Sequence, residues 1–168
     1  MKILFLGAPG SGKSTQGQMF AEKTGAKWIS SGQMLRESKE EWIQEKLKTG
    51  ELFDDEFITD MMLDELKTRE NYILDGFPRT RVQAEKMVEA GIRLDKIIEI
   101  AVPVEELIKR MLLRGRMEDN EDVISKRVSI YEQTRDDIVE VLEKTGVKLE
   151  KVDRVGTIEE IFDRIKLD

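Results

Sequence analysis

The stretch GAPGSGKST, residues 7–15, follows one apolar run and precedes a helical pattern. Gly7, Gly12, Lys13 and Ser14 fit the spacing G-x-x-x-x-G-K-[ST]. Glycine lets the backbone curl until successive N–H groups face one point, and a following helix aims its positive end there. A loop of this kind cradles phosphate. Its lysine reaches the outer phosphates, and the hydroxyl of Ser14 or Thr15 meets magnesium or a phosphate oxygen. The competing reading is a glycine-rich turn that binds nothing. A strand before the pattern and a helix after it are the context in which it works.

Two more stretches carry chemistry. In NYILDGFPRT, residues 71–80, Asp75 stands where the apolar run stops. It could hold magnesium directly or through water, or it could cap a turn. Gly76 and Pro78 build a sharp turn; Arg79 leaves it, suited to a bidentate phosphate contact, and Thr80 can cap the next helix. In RMLLRGRMEDNED, residues 110–122, Arg110, Arg114 and Arg116 adjoin an acidic run. By themselves they read as a solvated ion-pair network. With a phosphate loop in the same chain they read as a clamp, because Arg110 and Arg114, four residues apart, share one helix flank.

These groups need a frame. The chain has 168 residues, which suits one domain burying about 70% of its unfolded surface. Hydrophobic residues make up 39% and charged residues 38%. Cysteine and histidine are absent, which removes disulfides, zinc–thiolate sites and histidine acid–base catalysis. A metal must then be held by oxygens, which favours magnesium and excludes zinc. The net charge of −7 argues against a nucleic-acid binder and requires any phosphate site to be locally cationic. No stretch approaches the roughly 20 apolar residues of a membrane span, so a cytoplasmic location is expected.

Strand-like runs at residues 2–6, 27–29, 72–74, 97–102 and 147–152 alternate with helical patterns at 16–24, 55–69, 80–90, 104–113, 121–144 and 158–165. Such alternation implies an α/β fold, a five-stranded parallel sheet flanked by helices. Ligands in such sheets sit outside the carboxyl ends of the strands. Met61, Met62, Met87 and Met111 fall on helix faces and are expected in the core, and Trp28 and Trp42 are expected to be structural.

Four motifs in this order, GAPGSGKSTQ, SSGQMLR (residues 30–36), DGFPRT and GRMEDNEDVISKR (residues 115–127), resemble the adenylate kinase family over essentially the whole chain. The resemblance implies a P-loop kinase fold and Mg²⁺-dependent transfer of a phosphoryl group from ATP to AMP, giving two ADP. It implies one domain, 1–168, with a core of 1–29, 56–113 and 121–168, a short helical AMP-binding segment at 30–55, and a lid reduced to 114–120. On the ATP side it implies Gly10, Ser11, Gly12, Lys13, Ser14, Thr15, Arg110, Arg114, Val155 and Gly156. On the AMP side it implies Ser31, Arg36, Leu52, Phe53, Gly76, Arg79, Gln83, Arg116 and Arg127, with Gln83 reading the adenine edge. Lys13, Arg79, Arg114, Arg116 and Arg127 would be catalytic, and Ser14 and Asp75 would serve the metal. The implied partners are ATP, AMP and ADP, with no nucleic acid and no membrane, for a monomer or small homo-oligomer.

Departures from the family pattern matter. Only Gly115 separates Arg114 from Arg116, where the family usually places a lid; Gln33 replaces a common acidic residue. A lid excludes water and completes the site. Its reduction predicts a more open donor side and relaxed donor choice. A kinase for UMP or CMP, or a slow nucleotide-binding switch, are the alternatives; Thr80 and Gln83 lean toward adenine, and the full arginine set toward catalysis.

Overall fold

The computed structural model describes residues 1–115, 120–153 and 156–165, with Arg114 in its backbone only. Arg116 and Val155 and the side chain of Arg114 lie outside the described residues. Five strands, β1 (Lys2–Leu6), β2 (Lys27–Ser30), β3 (Tyr72–Asp75), β4 (Lys96–Ala101) and β5 (Leu149–Asp153), form one sheet in the order β2-β3-β1-β4-β5. Every pairing is parallel. The sheet is the expected one, and the strands fall within two residues of the expected bounds.

Helices cover both faces. Ile3, Phe5, Ile73, Ile98, Ile100 and Val152 pack against α1 (Lys13–Thr24) and α8 (Ile158–Arg164) through Phe20, Ala21 and Ile161. Leu4, Leu6, Tyr72, Leu74 and Ile97 meet α4 (Asp55–Lys67), α5 (Arg81–Glu89) and α7 (Glu121–Glu143) through Met62, Leu66, Met87, Ile138 and Leu142. Because neighbouring residues of a strand face opposite layers, burial on both sides makes the whole strand apolar rather than alternating. That is why the central strands stand out in the sequence.

Two short helices, α2 (Ser31–Glu37) and α3 (Glu41–Thr49), bridge β2 to α4, and α6 (Val104–Arg114) follows β4. Leu35, Ile43 and Phe53 of this bridge join the same apolar cluster as Leu4 and Leu74. Local chemistry sets the helix starts. Ser30, Asp54, Thr80 and Asn120 each accept a backbone N–H of the first turn, and Thr157 with Glu160 forms a capping box. Helix α6 ends on Gly115 at φ 64, a left-handed conformation that glycine adopts at no steric cost.

The methionines are as expected for core positions: Met62, Met87 and Met111 are fully buried, and Met61 packs against the core. Trp28 packs on the α1 side. Trp42 is half-exposed and lies edge-on to Phe53 and Phe57 at 6.0 and 5.1 Å.

Register aligns the strand ends. Phe5 is opposite Asp75, and Asp75 is opposite Ser30. The polar residues that follow β1, β2 and β3 therefore emerge together at one edge of the sheet.

Candidate active site

At that edge lies a cleft of about 460 Å³, within the size range of small-ligand sites. Gly10, Gly12, Lys13, Ser14 and Thr15 form one wall; Ser31, Arg36, Leu52 and Phe53 form another. Asp75, Gly76, Arg79, Arg110 and Arg127 close the circle. Residues from six segments far apart in the chain thus meet at one cavity. Three residues picked from the sequence do not line it: Ser11, Gln83 and Gly156.

The phosphate loop starts after β1 and ends on Gly12, left-handed at φ 89, one residue before α1 begins. The helix therefore starts at Lys13, earlier than its apolar periodicity suggests. A Cβ added to Gly10 would stand 2.8 Å from Met111 Cγ, and Gly10 itself is left-handed at φ 83. The loop is thus pressed against α6, and only glycine fits there. Ser11 is fully buried, and its N–H donates to the Ala8 carbonyl at 3.1 Å. Lys13 Nζ donates to the same carbonyl at 3.4 Å. Ser14 Oγ donates to Asp75 Oδ2 at 2.6 Å, tying the loop to the end of β3.

The arginines converge on the other wall. An ideal Cβ at Gly32 would lie 3.2 Å from Arg36 Nη1 and 3.6 Å from Arg79 Nη2. Both guanidinium groups therefore reach one spot over the start of α2. Arg79 Nε donates to the Gly76 carbonyl at 2.7 Å, and Ser31 Oγ donates to that carbonyl at 2.6 Å. Gly76 sits at φ 78, where a Cβ would stand 2.8 Å from Ser31 Oγ. Arg127 Nη2 donates to the Leu47 carbonyl at 3.0 Å, in the last turn of α3, where helix carbonyls favour a cation.

Crowding by protein lowers the Arg79 pKa, Asp75 pulls it back up and Arg127 depresses it further. The residue is nevertheless exposed to solvent, which screens these effects, and a guanidinium stays charged at any physiological pH. Arg110 Nε pairs with Glu106 at 2.7 Å, whereas its buried Nη1 has no hydrogen-bond partner among the described residues.

Beneath the cleft lies a group that the sequence reading did not single out. Glu99 of β4, 5% exposed, accepts from Arg135 Nε at 2.8 Å, Arg135 Nη2 at 2.6 Å and Tyr131 Oη at 2.8 Å. Burial pushes the Glu99 carboxyl up, but the hydrogen bonds from Arg135 and Tyr131 outweigh it and the net direction is down. Burial and the Glu99 carboxylate hold the Tyr131 phenol up. Tyr131 and Thr134 also line the cleft. The available signal was a lone carboxylate inside the apolar run KIIEIA, with tyrosine and arginine spaced four apart on the next long helix.

A family model described as adenylate kinase matches residues 5–147. The chain is 42% identical to the adenylate kinase of Mycobacteroides abscessus, over 98% of this chain and 96% of that one. It is 36% identical to an adenylate kinase of Thermus thermophilus over 98% and 94%, and 35% identical to that of Thermobifida fusca over 98% and 95%. Likeness at this level over nearly the full length, on a P-loop sheet with its basic cleft, is common descent: this chain belongs to the adenylate kinase family.

Proposed function

We propose that the protein transfers the terminal phosphoryl group of ATP to AMP, reversibly, giving two ADP. The observation that carries this reading is the meeting of Arg36, Arg79 and Arg127 across one cleft from the phosphate loop. Guanidinium groups from three separate segments around one cavity suit a ligand that brings several phosphate charges. Two nucleotides supply those charges.

In this reading the loop residues Gly10, Ser11 and Gly12, with Lys13, Ser14, Thr15 and Arg114, hold the ATP phosphates; the Ser11 N–H, already bonded to the Ala8 carbonyl, braces the loop and does not reach the ligand. Arg110 and the turn Val155-Gly156 border its base, and a ligand acceptor would satisfy the buried Arg110 Nη1. Ser31, Arg36, Gly76, Arg79, Arg116 and Arg127 take the AMP phosphate; Leu52, Phe53 and Gln83 take its base. A phosphate oxygen of AMP attacks the terminal phosphorus of ATP in line. The bond to the bridging oxygen breaks, ADP leaves with the electron pair, and no protein group need move a proton. Positioning and charge neutralisation supply the catalysis. Lys13, Arg79, Arg114, Arg116 and Arg127 are the groups assigned to that task.

Ser14 and Asp75 suit magnesium, since hydroxyl and carboxylate oxygens are hard donors. Among the described residues no group of three or more Asp or Glu side chains could hold a metal ion; in this reading the ion arrives with ATP. Bound that way, magnesium would neutralise phosphate charge. Residues 30–55 serve as the AMP-binding segment and 114–120 as the reduced lid of a single domain. Among the described residues no helix is long and apolar enough to cross a membrane, and we place the activity in the cytoplasm.

A coupled assay of ADP formation from Mg-ATP with AMP, UMP, CMP or GMP tests the reading. Rapid turnover with AMP is expected. Faster turnover with UMP or CMP, or nucleotide binding without transfer, would overturn it.

A further inference from the structure

Gln83 is 2% exposed, and both ends of its amide are committed. Its Oε1 accepts the Arg79 backbone N–H at 2.7 Å, and its Nε2 donates to Asp55 Oδ1 at 2.9 Å. The same Asp55 oxygen accepts from Thr80 Oγ1 at 2.7 Å. We propose that Asp55, in the first turn of α4, is a positioning residue that sets acceptor specificity by fixing which way the Gln83 amide points. The proposal rests on the reading that the AMP base lies against Gln83.

The direction follows from hydrogen-bond chemistry. A backbone N–H only donates and a carboxylate only accepts. Only one orientation of the amide satisfies both neighbours, so its oxygen faces Arg79 and its nitrogen faces Asp55. One amide N–H and one carbonyl lone pair remain for a ligand, in an order the protein has fixed. The Watson–Crick edge of adenine offers the matching pair, an acceptor at N1 and a donor at N6. Guanine reverses the pair, with a donor at N1 and an acceptor at O6. A fixed amide then sets donor against donor and acceptor against acceptor, and a buried mismatch of that kind is how polar sites reject close analogues. Thr80 contributes by donating to Asp55, which holds the carboxylate in place while Thr80 Oγ1 also caps α5. Without Asp55 only the Arg79 N–H anchors the amide, and the nitrogen end can swing.

Asp55 tolerates this duty at little structural cost. Asp54, not Asp55, caps α4, accepting from the N–H groups of Glu56 and Phe57 at 2.9 and 3.2 Å. An acidic residue in the first turn is favourable in any case.

The test is kcat/KM for AMP and for GMP at saturating Mg-ATP, expressed as a ratio so that loss of folded enzyme cancels. Asp55→Ala should lower the AMP-to-GMP ratio about tenfold, the worth of one positioned hydrogen bond, with the KM for ATP unchanged. Asp55→Asn keeps an acceptor oxygen and should retain most of the preference. Gln83→Ala should lower the ratio at least as far, and adding Asp55→Ala to it should change the ratio little further. An unchanged ratio in Asp55→Ala beside a fallen ratio in Gln83→Ala would overturn the role of Asp55 and leave the Gln83 reading standing. An unchanged ratio in Gln83→Ala would overturn both. Equal loss in Asp55→Asn and Asp55→Ala would also overturn the proposal, because charge and not acceptor geometry would then set the preference. Should Asp55→Ala fail to fold, Asp55→Leu keeps much of the side-chain shape without any acceptor and reads the same ratio.

Discussion

Among the described residues, each basic group of the cleft is held by a neighbouring protein group. Arg79 is fastened by its Nε to the Gly76 carbonyl, and that carbonyl is shared with Ser31. A guanidinium held this way is aimed before any ligand arrives, so little entropy remains to be lost on binding. Arg79→Ala should therefore lower kcat by about a hundredfold or more, while the affinity for AMP falls far less, because the charge it meets is largest in the transfer state. Steady-state kinetics beside calorimetric AMP binding would check this; equal losses in both would reduce Arg79 to a binding group. Gly76 is the companion case. Its left-handed φ of 78 and the 2.8 Å approach of Ser31 Oγ leave no room for a side chain. Gly76→Ala should destabilise the fold by about 1–3 kcal/mol, read as a shift in urea midpoint, and should lower activity more than stability alone explains.

At the scale of elements, α7 carries Arg127, Tyr131 and Arg135 four residues apart on one flank, and Glu99 of β4 grips the last two. The helix is thus pinned to the sheet next to the arginine it delivers. Breaking one side of a buried ion pair leaves a charge with too few partners. Arg135→Met should cost about 2–4 kcal/mol of stability and lower kcat through the displacement of Arg127. The pH dependence has a definite sign. Glu99 is held below its ordinary value of 4.5 in the folded chain, so the unfolded chain binds more protons in that range. Its contribution is full above about pH 4.5 and fades as pH falls through the lower folded value. Glu99→Gln should flatten that acid limb in thermal melts between pH 3 and 6; an unchanged limb would contradict the account. Glu99 also shows where the sequence falls short. The strands were legible because sheets covered on both faces demand apolar runs. The phosphate loop was legible because its glycines have few other uses. Helices α2 and α3 could be expected only as one short helical segment within 30–55, not as two separate helices, since their ends depend on the Ser30 cap and on packing of Leu35 and Ile43 into a distant core. Asp55 was illegible for a different reason: an acidic residue at a helix start already has an ordinary explanation.

The whole molecule is a sheet that collects cations at one edge against a net charge of −7. The acidic excess lies elsewhere, so the local field of the cleft opposes that of the surface and selects phosphate by position rather than by bulk attraction. In the proposed reading the lid is reduced to 114–120, with Gly115 alone between Arg114 and Arg116, so the donor side is open. Water should then reach bound ATP more readily than in relatives with a full lid. Slow ADP formation from ATP without AMP is expected, together with use of GTP within about tenfold of ATP. Strict ATP preference with no hydrolysis would refute the open donor side. The central claim is spatial: scattered basic side chains cancel the repulsion between two nucleotides in one cleft. The most direct measurement is a crystal structure with AMP and a non-hydrolysable ATP analogue bound together. The account predicts the analogue's phosphates on the loop of residues 10–15, Lys13 included, with the AMP phosphate within hydrogen-bond distance of Arg36, Arg79 and Arg127. Phosphates bound away from those arginines, or AMP and the analogue competing for one position, would contradict it.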